Sequence, residues 1–282
     1  MLIDTHCHLD AAEFAVDQAA VISQAQALGV QQIVVPAVER ANFAVVRDLA
    51  AHHFGLHYAL GIHPMYVAQA LESDLQALRD AINSALNDSH FVGIGEIGLD
   101  YFVPELTQNP LKEKQEYFYA EQVRIATEFG LPVILHVRRS QDQVLKQLRR
   151  FRPVGGIAHA FNGSVQQAEA YLALGFKLGF GGAMTFTRAL QIRRLAAELP
   201  LDALVLETDA PDIAPSWLMN EATADNPTSQ PISKPRNTPA ELPRIAQVLA
   251  ELRGVTVATI ATQTCANALA VLPRLALSGI TH

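Results

Sequence analysis

Residues 31–38 read QQIVVPAV and residues 203–208 read ALVLET. As strands, both runs place apolar side chains on their two faces, the pattern of a parallel sheet covered on both sides. Six further short runs, mostly apolar, recur at 2–6, 56–62 (LHYALGI), 91–97 (FVGIGEI), 132–138 (PVILHVR), 155–160 (GGIAHA) and 176–181 (FKLGFG). Helix-compatible segments separate them, near 13–28, 40–54, 71–87, 111–129, 140–151, 164–174, 188–198 and 239–253. Strand–helix alternation predicts a parallel sheet. Eight such units in 282 residues predict an α/β fold of the TIM (β/α)8 barrel type. Residues 255–272 read as one extra C-terminal helix, and 1–282 as a single unit. An open doubly wound sheet is the competing arrangement.

One segment departs from the alternation. Residues 211–239 hold six prolines and few helix formers, with a basic end at Lys234 to Asn237. Following the eighth strand, such a loop lies beside the rim where barrel function collects.

Half of the chain is hydrophobic, which suffices for a sizeable core. The net charge of −7 provides no global field for wrapping a polyanion, so a nucleic-acid substrate must be held locally. Two cysteines, Cys7 and Cys265, suggest no disulfide framework and fit a reducing compartment. No basic region and long apolar stretch open the chain, and no run reaches the ~20 apolar residues of a membrane span. The expectation is a cytoplasmic protein with no membrane partner and no obligate protein partner.

In a barrel of this type the C-terminal strand ends carry the chemistry. Strand one ends in His6 and His8, strand three runs into His63, and strand four carries Glu96. Strands five and six end in His136 and His159, and strand eight in Glu207-Thr208-Asp209. His6 and His8 share a strand face with Cα atoms about 6.5 Å apart, close enough to bind one ion together. A lone histidine at a strand end is most often structural, but several converging on one rim are hard to explain that way. Imidazoles mixed with carboxylates suit borderline divalent ions better than calcium. Six ligands exceed the three or so of a single catalytic ion and predict a pair about 3.5–4 Å apart.

The ordered motifs HCHLD (6–10), GIHP (61–64), GEIGLDY (95–101), LHVR (135–138), HAFNGS (159–164), ETDAP (207–211) and PRNTP (235–239) resemble the TatD-related metal-dependent deoxyribonucleases of the amidohydrolase superfamily. The resemblance spans nearly the whole chain. It implies two divalent ions (Zn²⁺, Mn²⁺ or Mg²⁺), one on His6, His8 and Asp209, with Glu96 bridging to a second on His136 and His159. It further implies that Asp209 orients or deprotonates the attacking water and that His63 contacts the scissile phosphate. The carbamylated lysine common elsewhere in the superfamily is absent from strand four. HAFNGS replaces the commoner HCFSG, and ETDAPDI lacks an aromatic after the proline.

Arg138 and Arg236 are candidates for phosphate contacts, with solvated surface arginines as the plain alternative; Arg139 reads as surface. Tyr101, Phe102 and Phe161 could stack bases or pack internally. Asp100 reads as a loop-fixing residue and Cys7 as a small apolar residue facing the helices. His52, His53, His57, His90 and His282 fit no strand end and read as structural or exposed. The expected activity is hydrolysis of phosphodiester bonds in DNA, with RNA as a further substrate, and a 3′-exonuclease mode because no long basic stripe is present. The alternative is the same metal chemistry on another ester or amide; a binding protein with a vestigial site predicts a missing ligand, and none is missing.

Overall fold

Eight parallel strands follow one another around the sheet in chain order. They are β1 (Leu2–Asp4), β2 (Val30–Pro36), β3 (Leu56–Leu60), β4 (Phe91–Asp100), β5 (Val133–Arg138), β6 (Gly156–Ala158), β7 (Phe176–Phe180) and β8 (Leu204–Leu206). The computed structural model describes residues 1–219 and 235–278, so most of the proline-rich segment, Lys234 included, and His282 lie outside the described residues. Between the strands run α1 (Gln18–Ala27), α2 (Phe43–His52), α3 (Glu72–Ala85), α4 (Leu111–Phe129), α5 (Gln141–Phe151), α6 (Val165–Leu172) and α7 (Leu190–Glu198). After β8 come α8 (Leu242–Arg253) and α9 (Val257–Val271). The arrangement is a TIM barrel, and all eight expected strands are present.

Hydrogen bonds between the two ends of the sheet draw the barrel together. Thr5 N–H donates to Leu206 O at 3.1 Å, and Asp209 N–H donates to His6 O at 2.8 Å. Beside them the buried carboxylate of Asp4 accepts both the N–H and the hydroxyl of Thr208.

Alternate residues sort the strands into two layers. Ile3, Val34, Ala59, Val92, Ile134, Ile157 and Val205, one from each of seven strands, meet inside the barrel. Their neighbours, such as Ile33, Val35 and Leu204, pack outward against the helices, and Cys7 lies in that outer layer. The last helix closes the lower mouth: Cys265, Ala268, Val271, Leu272 and Leu275 join the interior layer. Asn267 donates to Leu201 O and Leu204 O, and Arg274 to Leu86, Asp88 and Phe91 carbonyls at the strand starts.

Several boundaries shift by a few residues, and the largest shift is at the first helix. The helix predicted from residue 13 begins at Gln18, after a 3₁₀ turn at Ala12–Phe14 that buries Phe14. The carboxylate of Asp17, which would cap the helix, is instead held by Arg236. Among the described residues, no single helix is long and apolar enough to cross a membrane.

Candidate metal centre

His136, His159 and Glu207 each stand two residues beyond an interior apolar residue: Ile134, Ile157 and Val205. The two-residue period of a strand therefore aims them at the barrel axis, at the end opposite the closing helix. There they meet Glu96, from the middle of β4, which is 2 % exposed.

Each oxygen of Glu96 faces its own set of ring nitrogens. Oε2 lies 3.1 Å from His6 Nε2 and 3.3 Å from His8 Nε2. Oε1 lies 2.9 Å from His159 Nε2, 3.0 Å from His136 Nδ1 and 3.4 Å from His63 Nε2. Asp209 Oδ1 completes the first side, 3.5 Å from His6 Nε2 and 3.7 Å from His8 Nε2. The structure thus brings together every residue expected at the centre. Its grouping differs in one respect: His159 clusters with His6 and Glu96, and His63 joins Glu96 and His136.

The donor set fits cations. A carboxylate has about four acceptor positions, and a neutral imidazole carries one N–H. Five imidazole nitrogens around one buried carboxylate therefore press lone pairs together unless positive charge lies between them. Ligands about 2.0–2.1 Å from a tetrahedral ion stand about 3.4 Å from each other. The separations here run from 2.9 to 3.7 Å.

The surroundings select which nitrogen of each ring faces the centre. Asp100 Oδ2 lies 3.0 Å from His136 Nε2 and takes that N–H, leaving Nδ1 toward Glu96. The other oxygen of Asp100 accepts the N–H groups of Phe102 and Val103. His63 is set the opposite way: its Nδ1 accepts from Met65 N–H at 3.2 Å, so its proton sits on Nε2. His63 therefore presents a donor to the centre, whereas His136 presents a lone pair.

Burial would raise the Glu96 carboxyl, but His63, His6 and His159 outweigh it and hold it well below the usual range. Burial dominates at Asp209 and pushes its carboxyl up to about 6. Backbone strain gathers on the same rim: Arg139, Ala160 and Asp209 have φ of 57°, 45° and 55°. Left-handed non-glycine residues persist where their surroundings hold them. Asp209 is held by its N–H to His6, and Ala160 by its N–H to Glu207 Oε1 at 2.5 Å.

Above the centre opens a cavity of about 770 Å³. One wall carries Arg138, Arg139 and Phe102, with the guanidinium carbons 3.7 and 4.6 Å from the Phe102 ring centre. The opposite wall carries Asp10, Glu13 and Asp212. Of the expected stacking residues only Phe102 lines the cavity; Phe161 is buried, and the Tyr101 hydroxyl is committed to Glu116. Arg236 is not brought to the wall: it pairs with both oxygens of Asp17 and donates to Glu13 O. Asn237 beside it is buried and ties the chain back to Thr208, Asp212 and Ile213 carbonyls. The acidic wall had no distinguishing sequence signal. Glu207, by contrast, was detectable in outline, since Val205, Glu207 and Asp209 share a strand face.

A sequence model of the TatD-related DNase family matches residues 3–273. A metal-dependent hydrolase named YjjV from Escherichia coli K12 is 40 % identical over 252 residues, covering 89 % of this chain and 90 % of that one. The crystal structure of the YjjV TatD homologue superposes with a TM-score of 0.84 at 36 % identity, over 96 % of this chain and 98 % of the other. A 3'-5' ssDNA/RNA exonuclease TatD from Pantoea is 31 % identical over 272 residues, 95 % of this chain and 97 % of its own. The barrel, the ring around Glu96 and these likenesses agree: the chain belongs to the TatD-related DNase family and is a metal-dependent hydrolase.

Proposed function

We propose that the protein hydrolyses phosphodiester bonds of DNA, and of RNA as a further substrate, from free 3′ ends. The observation that carries the reading is the carboxylate of Glu96 with separate imidazole sets on its two oxygens. His6, His8 and Asp209 with one oxygen of Glu96 would hold one divalent ion, and His136 and His159 with the other oxygen a second; Zn²⁺, Mn²⁺ and Mg²⁺ are the candidates. Such a pair supplies Lewis acidity and water whose pKa is lowered towards about 7.

The chain's own groups do the rest. Asp209, mostly buried and beside His6 and His8, accepts the proton of the attacking water. The water oxygen bonds to phosphorus while the P–O3′ bond breaks. His63 donates its Nε2 proton in a hydrogen bond to a non-bridging phosphate oxygen. Arg138, half exposed on the basic wall, pairs with a neighbouring phosphate, and Phe102 offers an aromatic face to a base. Across the cavity, Asp10, Glu13 and Asp212 repel a continuing phosphate chain, which supports attack at an end.

The test compares an end-labelled linear oligonucleotide with a circular single strand, with each metal and with chelator. Faster loss of the linear substrate, abolished by chelator, is expected. Equal rates would overturn the end-directed mode. Hydrolysis of small esters with no nucleic acid cleaved would instead favour an ester hydrolase, for which the acidic wall would seat a cationic group.

A further inference from the structure

Three buried groups lie in line across β6, β7 and β8 just beneath the metal centre. His159, the residue after β6, faces Glu96 with Nε2, and its Nδ1 points the other way. Glu207, two residues beyond the interior Val205 of β8, is 1 % exposed. Its Oε1 lies 3.8 Å from His159 Nδ1 and accepts the N–H of Ala160, the residue after His159. To get there the carboxylate must pass over β7, the strand hydrogen-bonded between the other two.

It passes because β7 is bare at that point. A Cβ on Gly179 would stand 2.0 Å from Glu207 Oε2, and one on Gly181 would stand 2.7 Å from the Glu207 carbonyl. No side chain fits either position while Glu207 keeps its place. Meanwhile His159 Nδ1 and Glu207 Oε2 are both buried without a hydrogen-bond partner. Leaving a buried polar group unpartnered is unfavourable, and the orphaned Nδ1 looks toward the other oxygen of Glu207, Oε1, at 3.8 Å, which points to a role beyond packing.

We infer that Glu207, reaching through the gap left by Gly179, is a positioning residue that takes the Nδ1 proton of His159 and so fixes Nε2 as a metal-binding lone pair. A carboxylate behind a ligating imidazole sets its tautomer, its orientation and its basicity. Asp100 backs His136 more closely, at 3.0 Å from the opposite ring nitrogen. The inference rests on the metal reading above and is independent of the substrate.

The test is titration of metal-free protein with Zn²⁺ against a competing chelator, with the melting temperature of the metal-free protein measured alongside. Glu207→Gln keeps the size and one oxygen but not the charge. It is expected to weaken Zn²⁺ binding about 10–100-fold with the metal-free melting temperature nearly unchanged. Gly179→Ala should weaken binding similarly by pushing the carboxylate aside. In a Glu207→Ala background the same Gly179→Ala change should have little further effect, because the clash is gone. Unaltered Zn²⁺ affinity in Glu207→Gln overturns the inference, as does a loss that only tracks a lower melting temperature. Protein that binds Zn²⁺ but cuts no nucleic acid leaves it standing; wild-type protein that takes up no Zn²⁺ overturns the metal reading on which it rests.

Discussion

Asp4 grips Thr208 with both carboxylate oxygens, Oδ1 on its N–H at 2.9 Å and Oδ2 on its hydroxyl at 2.5 Å. This joins the first strand to the residue before Asp209. Asp4→Ala strands three buried donors, the third being the His6 N–H, and unfolding in urea should show a loss of about 3 kcal/mol. An unchanged midpoint would mean the barrel seam is held elsewhere.

Asp209→Asn keeps the shape of the centre and removes its proton acceptor. Turnover of an oligonucleotide should fall about 10²–10⁴-fold, the usual worth of a positioned general base. Activity within a few-fold of the wild type would sink the role given to Asp209.

His63 is held as an Nε2 donor by Met65 N–H. His63→Ala should therefore cut kcat/KM by about 10–100-fold, some 1.4–2.7 kcal/mol, while bound metal per chain stays the same. Loss of one metal equivalent would identify His63 as a ligand instead.

The two candidate arginines should behave differently. Arg138→Ala is expected to raise KM for a single strand and to flatten its dependence on salt, since one phosphate contact is lost. Arg236→Ala breaks a surface pair with Asp17 and should cost less than about 1 kcal/mol of stability, with KM unmoved. Equal effects on KM would contradict the placement of Arg236.

Away from the centre, burial, reinforced by His90, lowers the pKa of His57 from 6.5 to about 4. Above 6.5 both folded and unfolded chains leave it neutral. Between 6.5 and 4 only the unfolded chain takes the proton, so stability falls as pH falls through that window. Denaturation of His57→Gln against the wild type, compared at about pH 7 and about pH 4, should show the variant losing roughly 3 kcal/mol less. Parallel losses would show that His57 does not contribute to acid unfolding.

The barrel was legible because parallel strands covered on two faces spell continuous apolar runs, as VVPAV and LVLET do. The ring was legible because strand-end histidines and carboxylates recur at the edge where a barrel keeps its chemistry. What escaped depends on pairings far apart in sequence. Arg236 looks free until Asp17 is found beside it, and residue 13 looks like a helix start until Phe14 is seen buried in a 3₁₀ turn. Likewise, nothing in GFGG reveals that Gly179 is bare for the benefit of Glu207.

The hydrogen bonds between β1 and β8 link residues 204 positions apart, as between Asp4 and Thr208. During synthesis the first histidines emerge long before Asp209 exists to face them. A partly made chain thus offers His6 and His8 without the remainder of their ring. On the proposed metal reading, the site is complete only once β8 has joined β1, so loading is coupled to closure of the barrel. Slow joining of distant strands, the costly step of high-contact-order folding, sets when the protein can first acquire its activity.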